Sequence, residues 1–324
     1  MNKRIYLLTC VMIVMAFILD LQKANAQQDA QFTHYMNNGM FYNAAFAGRE
    51  EGYIITALHR SQWLNYSTSS GAGGAPTTQL ISFSGRLKSL PVGFGLVAVN
   101  DQIGPFSNQE VNLSLAYNLR LGRGNLRVGA SGGFFSSTIR FDEFSPVNPD
   151  PSIPSAGDEN QMKPQASIGL LYERGNFYLG LSSRHLNEPD FDFGSGSLAN
   201  QLENHNYLMA GYKINTFAQL SVEPSMLVKS VGLNNFSYDF SVIGTYNKKV
   251  SLGMAYRLEE SASVLVGYSL LKDNSLRLGY AFDLVVGGVQ AKKPSSHEFM
   301  LTYNIPQVAK QFDRIIQRTP RYRF

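Results

Sequence analysis

Five histidines, a single cysteine and a scatter of carboxylates are the side chains in this sequence that could carry chemistry. The histidines are His34, His59, His185, His205 and His297. No two of them flank a glutamate in the His-Glu-x-x-His spacing that sets two imidazoles on one helix face for zinc. Cys10 has no second cysteine with which to form a disulfide or a thiolate metal site. Asp142, Glu143, Asp150, Asp158 and Glu159 offer the oxygen donors that Ca²⁺ takes. Pro146, Pro149, Pro151 and Pro154 lie among them, and the segment is read as a stiffened, solvated loop. There is no nucleophile elbow, P-loop or dinucleotide fingerprint, and Gly93-Phe94-Gly95 falls within a strand pattern as a bend. The expectation is a protein that is not an enzyme and has no cofactor and no metal.

The elements that would position such groups are legible from Val250 to Phe282. Val250, Leu252, Met254, Tyr256 and Leu258 alternate with Ser251, Gly253, Ala255 and Arg257. Ala262, Val264, Val266, Tyr268 and Leu270 follow with small residues between, apart from Leu265. Leu276, Leu278, Tyr280 and Phe282 then alternate with Arg277, Gly279, Ala281 and Asp283. Successive strand side chains point to opposite faces, so each segment has one greasy face and one small or polar face. A sandwich would bury the greasy face, whereas a membrane barrel turns it to lipid and wets the other. Tyr256, Tyr268 and Phe282 lie near strand ends, where an interfacial aromatic girdle belongs.

About fourteen such segments run from Tyr53 to Ile305. Their connections alternate between longer (61–76, 101–108, 139–164, 185–206, 285–296) and shorter (88–91, 122–124, 174–176, 215–216, 247–249, 272–274), with 259–261 breaking the pattern by being short on the long side. Bacterial barrels sort their loops in this way and sandwiches do not. Only 16% of residues are charged, below the usual quarter, and 12% are aromatic, which suits a lipid-facing wall. A net charge of +4 without a Lys/Arg run argues against nucleic acid. Lys3 and Arg4, the apolar run from Ile5 to Leu19 and Ala24-Asn25-Ala26 read as a secretory signal too short to span a bilayer. A membrane protein without spanning helices must close into a barrel, because backbone groups cannot go unpaired in lipid.

The expected architecture is thus all-β: a transmembrane antiparallel β-barrel of about 14 strands over 53–305. A signal peptide occupies 1–26, an N-terminal arm 27–52 and a tail 306–324. Because the first strand runs outward, both termini are expected in the periplasm. The arm is rich in Gln, Asn, Phe and Tyr without a clean period; it reads as an extended arm or a plug, with Phe32, Tyr35, Tyr42 and Asn43 as candidate contacts. His59-Arg60-Ser61-Gln62-Trp63 ends the first strand. Arg60 and the single Trp63 suit either an anchor at the headgroup level or a partner contact at the mouth. Arg86, Arg257 and Arg277 fall on or near the inward face. Val308, Phe312, Ile315 and Ile316 suggest a short amphipathic helix in the tail, whose end carries Arg321 and Phe324.

These blocks resemble the PorP/SprF family. Its opening pattern is met by Gln28, Gln31, Phe32, Thr33, Tyr35, Met36, Tyr42, Asn43, Ala45, Ala47 and Gly48. Arg60-Ser61-Gln62-Trp63, Asn100-Asp101-x-Ile103-Gly104-Pro105, His185-Leu186 and Ser296-His297-Glu298 are also similar to it; Asn38-Gly39-Met40 departs, where members often carry a proline. The resemblance implies an outer-membrane protein of Bacteroidota linked to type IX secretion and, in some members, to gliding motility. The partners it implies are the secretion machinery and an exported adhesin or cargo domain, beside the lipid bilayer itself. An alternative from another class is a diffusion channel or hydrophobic-solute transporter with an N-terminal plug, motivated by the inward Arg and Asp residues.

Overall fold

A computed structural model of the chain describes residues 29–64, 74–87, 89–143, 157–194, 198–216, 219–232, 235–286 and 295–305. The signal peptide, the proline-rich part of 139–164 and the tail with Arg321 and Phe324 lie outside the described residues. The strands are β1 (Tyr53–Ser61), β2 (Thr77–Arg86), β3 (Val92–Ile103), β4 (Phe106–Leu121), β5 (Gly124–Arg140), β6 (Asp158–Arg174), β7 (Phe177–Arg184), β8 (Asp190–Phe193), β9 (Leu198–Gln201), β10 (His205–Tyr212), β11 (Ile214–Asn215), β12 (Leu220–Val231), β13 (Asn235–Tyr246), β14 (Val250–Arg257), β15 (Ser261–Leu270), β16 (Leu276–Val285) and β17 (Ser295–Ile305). Each barrel strand pairs antiparallel with its neighbours. The ring closes where β1 meets β17, from Tyr53 opposite Ile305 to Ser61 opposite His297. Leaving out the separate β8–β9 hairpin and the two-residue β11, this is a closed barrel of fourteen strands.

The period-two reading fixes which face is which. On β14, Val250, Leu252, Met254 and Tyr256 are exposed on the outside, while Gly253 and Arg257 are buried. On β15 the outward set is Val264, Val266 and Tyr268, and Leu265, the residue that breaks the pattern, points inward with Ser261, Ser263 and Ser269. Tyr256 lies beside the 258–260 connection, and Tyr268 sits opposite Val250 at the other end of the same strands. Aromatics therefore mark both rims.

Two expectations need correction. Residues 101–108 are not a loop: the ladder runs on through Asp101 opposite Asn108 to Ile103 opposite Phe106, leaving only Gly104-Pro105 between strands. Gly104 takes φ +56°, which a tight turn needs and other residues resist. The inner face is also not simply small and polar. Leu58, Leu80, Val97, Val99, Leu171 and Leu227 point inward and are buried, because the lumen holds protein rather than water.

The wall is uneven in height. β4, β5 and β6 have 16, 17 and 17 residues, whereas about 9–11 span a bilayer. The surplus carries a second apolar cluster of Phe135, Ile139, Phe141, Phe191, Phe193 and Leu202. Phe191 and Phe193 come from the β8–β9 hairpin, which folds over this side. The Gln161 amide donates to the Asp192 carbonyl, and the Gly194 amide donates to Glu159 Oε2 at 2.7 Å.

Val266 is 44% exposed at mid-strand, and Val250 is exposed at a strand end. Val266→Arg is expected to cost roughly 2–4 kcal/mol and Val250→Arg only about 0–1 kcal/mol, read from urea unfolding in lipid vesicles. Equal costs would contradict the assigned facing.

Candidate functional site

Residues 29–52 fold inside the barrel. The segment has too few residues between its glycines and asparagines for a long helix. It makes a single helical turn at Gly39–Tyr42 between two 3₁₀ turns, Tyr35–Asn37 and Ala44–Phe46. Its rings pack on one another edge to face: Phe32 on Phe41 at 5.1 Å, Phe41 on Tyr42 at 4.9 Å, and Tyr42 on Tyr207 of β10 at 5.2 Å. The inward apolar residues of the wall complete this cluster.

The wall gives way where the arm touches it. A Cβ on Gly129 of β5 would run into the backbone of Ala44 and Ala45. One on Gly93 of β3 would meet the Ala47 carbonyl, and one on Gly169 of β6 the Asn43 amide. Gly93 is thus a contact surface as well as part of the expected bend. Asn43 uses its whole side chain: Oδ1 accepts from the Ala45 amide at 2.8 Å, and Nδ2 donates to the Leu170 and Leu181 carbonyls at 3.0 and 3.1 Å. At the far end of the arm, Arg127 Nη1 donates to the Ala47 carbonyl at 3.2 Å. Arg86 Nε and Nη2 donate to the Gly48 and Arg49 carbonyls at 3.1 and 3.0 Å.

Three groups of charge inside the wall are matched by opposite charge and by the arm. Arg60 of β1 lies 2.7 Å from Asp283 of β16 and 3.0 Å from Glu298 of β17. Glu298 accepts from the Thr33 and His34 amides, each at 2.8 Å, and contacts His34 Nδ1 at 2.8 Å. Thr33 Oγ1 donates to Asp283, 2.8 Å from its Oδ2. A second group joins Asp239 of β13 to Lys229 at 2.9 Å and Arg257 at 2.7 Å, with Tyr35 donating to the Ser225 carbonyl beside it at 3.0 Å. Burial pushes the Tyr35 hydroxyl up to about 12, so it stays a neutral donor. A third group centres on Asp29, which pairs with Arg184 at 2.7 Å and His185 at 2.9 Å. Arg184 also binds Glu110 and lies 4.3 Å over the Phe41 ring. Burial alone would raise the Asp29 carboxyl, but Arg184 and the neighbouring histidines outweigh it and hold the group well below the usual carboxylate range.

The structure gathers Phe32, Tyr35, Tyr42 and Asn43 in the lumen, and Arg60 with them. At 2% exposure Arg60 is neither at the headgroup level nor open to a partner at the mouth. The cause is parity: His59 takes the outward position and Arg60 the inward one. Trp63 stands apart, beyond β1, where its amide donates to Ser296 Oγ at 3.1 Å. Arg86 and Arg257 point inward as expected; Arg277 shares the inward parity of Gly279, Ala281 and Asp283 but is exposed near the end of β16. Sequence reasoning missed Glu110, Asp239, Arg127 and Arg184 as lumenal groups. Their signal was a charge at an inward position of a strand that otherwise alternates. Of the described carboxylates of 139–164, Asp142 Oδ1 accepts from the Gly157 amide at 3.1 Å, Glu143 pairs with Arg140 at 2.9 Å, and Glu159 holds the Gly194 amide.

A closed strand ring with lipid-facing greasy positions and a buried N-terminal segment defines a plugged β-barrel of the outer-membrane kind. The chain belongs to the type IX secretion system membrane protein PorP/SprF family, whose pattern matches residues 24–303. Solved structures similar to it include Omp33 of Acinetobacter baumannii (8% identity, TM-score 0.46, 80% of this chain and 100% of that one). The CymD monoaromatic hydrocarbon channel is another (12%, 0.49, 83% and 93%), and the P. putida toluene transporter TodX a third (10%, 0.49, 83% and 94%). No curated protein matches the sequence significantly.

Two substitutions test the packing of the arm. Arg60→Met leaves Asp283 and Glu298 buried without their cation and is expected to cost about 3–5 kcal/mol in urea unfolding. Gly129→Leu is expected to displace residues 29–52, so that proteinase K trims the arm while leaving the parent intact. An untrimmed Gly129→Leu barrel would refute the close approach.

Proposed function

We propose that the protein serves type IX secretion as an anchoring component: a barrel whose lumen is filled and whose two ends hold other proteins. The observation that carries this reading is the arm. It is tied to the wall by paired charges, by Asn43 and by two arginines on its last carbonyls. Beside Met40, Phe41 and Arg184 lies one small cavity of about 10 Å³, room for roughly one water. Such a barrel suits binding better than conduction.

In this reading β1 runs outward and both termini face the periplasm. The tail 306–324, with Arg321 and Phe324, meets the secretion machinery there. The 139–164 and 185–206 connections, with the projecting β4–β6 wall, meet an exported adhesin or cargo domain outside. Trp63 stands at that outer rim. A part in gliding follows if the partner adhesin drives movement. The filled lumen weighs against a diffusion channel or hydrophobic-solute transporter, which would require the arm to leave.

Deletion of the gene followed by surface proteomics should show loss of at least one type IX substrate. Unchanged export of all of them would remove the proposal. The purified barrel in planar bilayers should give no steady conductance, whereas a chain lacking residues 29–49 should conduct. Steady conductance by the intact protein would favour the channel.

A further inference from the structure

Asp29, His185 and His205 come from three distant parts of the chain and meet at one buried point. Their ligand atoms lie within 4.8 Å of one another. All three side chains are buried, His185 at 0% exposure. His205 Nδ1 stands 2.9 Å from the Glu203 carbonyl, which can only accept, so Nδ1 carries the proton and Nε2 keeps its lone pair. That Nε2 has no hydrogen-bond partner among the described residues. A buried ring nitrogen left unsatisfied is costly, so such an atom marks a missing partner.

The surroundings are those of a ligand set. A histidine that donates its other nitrogen to a carbonyl is held in the orientation and tautomer that metal binding needs, and His205 does this. Asp29 Oδ2 is fixed by Arg184 at 2.7 Å and by the Tyr207 hydroxyl at 2.5 Å, which leaves Oδ1 turned to the histidines. Asp29 Oδ1 and His185 Nε2 are 2.9 Å apart, a hydrogen-bond distance that opens by about half an ångström to the ~3.4 Å between two tetrahedral ligands of one ion. The set combines two imidazoles with one carboxylate, a borderline donor set that suits Zn²⁺ and excludes soft Cu⁺ and the all-oxygen preference of Ca²⁺ and Mg²⁺.

We propose that Asp29, His185 and His205 bind one Zn²⁺-class divalent ion that fastens the start of the lumenal arm to both feet of the β8–β9 lid. His185 follows β7 and His205 opens β10, so the two histidines bracket the connection that carries the hairpin. Asp29 supplies the arm. The ion displaces the proton between Asp29 and His185 and adds coordinate bonds to the ion pairs and ring contact that already join these segments.

Tag-free protein, purified in detergent, stripped with chelator and dialysed against Zn²⁺, should hold about one ion per chain by elemental analysis. His205→Gln and His185→Gln should reduce this to background, while His59→Gln, at an exposed position, should not. Heat-modifiable migration on gels reports folding of each variant. Independently, Co²⁺ added to the unmodified protein should give the strong visible absorption of a low-coordinate imidazole–carboxylate site. A folded parent that retains no Zn²⁺, histidine variants that bind as much as the parent, or a Co²⁺ spectrum of the free aqua ion would each overturn the proposal.

Discussion

Closure of the backbone ladder between β1 and β17 governs the remainder of this molecule. In lipid no water is available to an unpaired amide or carbonyl, so the first strand must find the last. From Tyr53 opposite Ile305 to Ser61 opposite His297 it does. A closed ring then has only two faces. The outer one meets acyl chains, and the inner one encloses a space that water or protein must fill. Here it is protein, and this changes the energetics of every inward charge. An isolated buried ion costs several kcal/mol, so Arg60, Arg184 and Arg257 each require a carboxylate within reach. Asp283 and Glu298, Glu110 and Asp29, and Asp239 meet that requirement. The arm contributes Asp29 and the amides of Thr33 and His34, and is therefore part of the electrostatic balance of the wall.

The same dependence shows in the glycines. Gly93, Gly129 and Gly169 belong to strands, where glycine weakens packing and lowers strand propensity. Each lies where the arm backbone or the Asn43 amide touches the wall. The wall is thinned at those points, and the contacts of the arm make up for the side chains that are missing.

How much of this was legible follows from the physics of each part. Strands declare themselves because lipid on one side imposes period two, and Val250 to Phe282 shows it plainly. Only parity was needed to place Val266 outside and Ser263 inside. Asn100, Asp101 and Asn108 misled because polar residues imitate a loop, although on a projecting wall they continue the ladder to Gly104. Arg60 misled through its neighbour Trp63, since a Trp beside an Arg suits a membrane rim. The arm has no period to read; its turns depend on the cavity that surrounds it. Asp29, His185 and His205 are separated by 156 and 20 positions, and only the ring topology brings them together. The family blocks did point to the segments that matter, because the arm motif and the start of β17 are in direct contact at His34 and Glu298.

That contact has a bearing on biogenesis. Thr33 touches Arg60 of the first strand and Glu298 of the last, 27 and 265 positions away. The N-terminal segment thus straddles the seam by which the cylinder is shut. It is synthesised long before its partner on the far side of that seam, 265 positions later. Contacts of such long sequence separation form late. An insertion machine that zips the edges together must therefore keep the leading segment on the inside until the final hairpin arrives, or shut an empty tube around nothing.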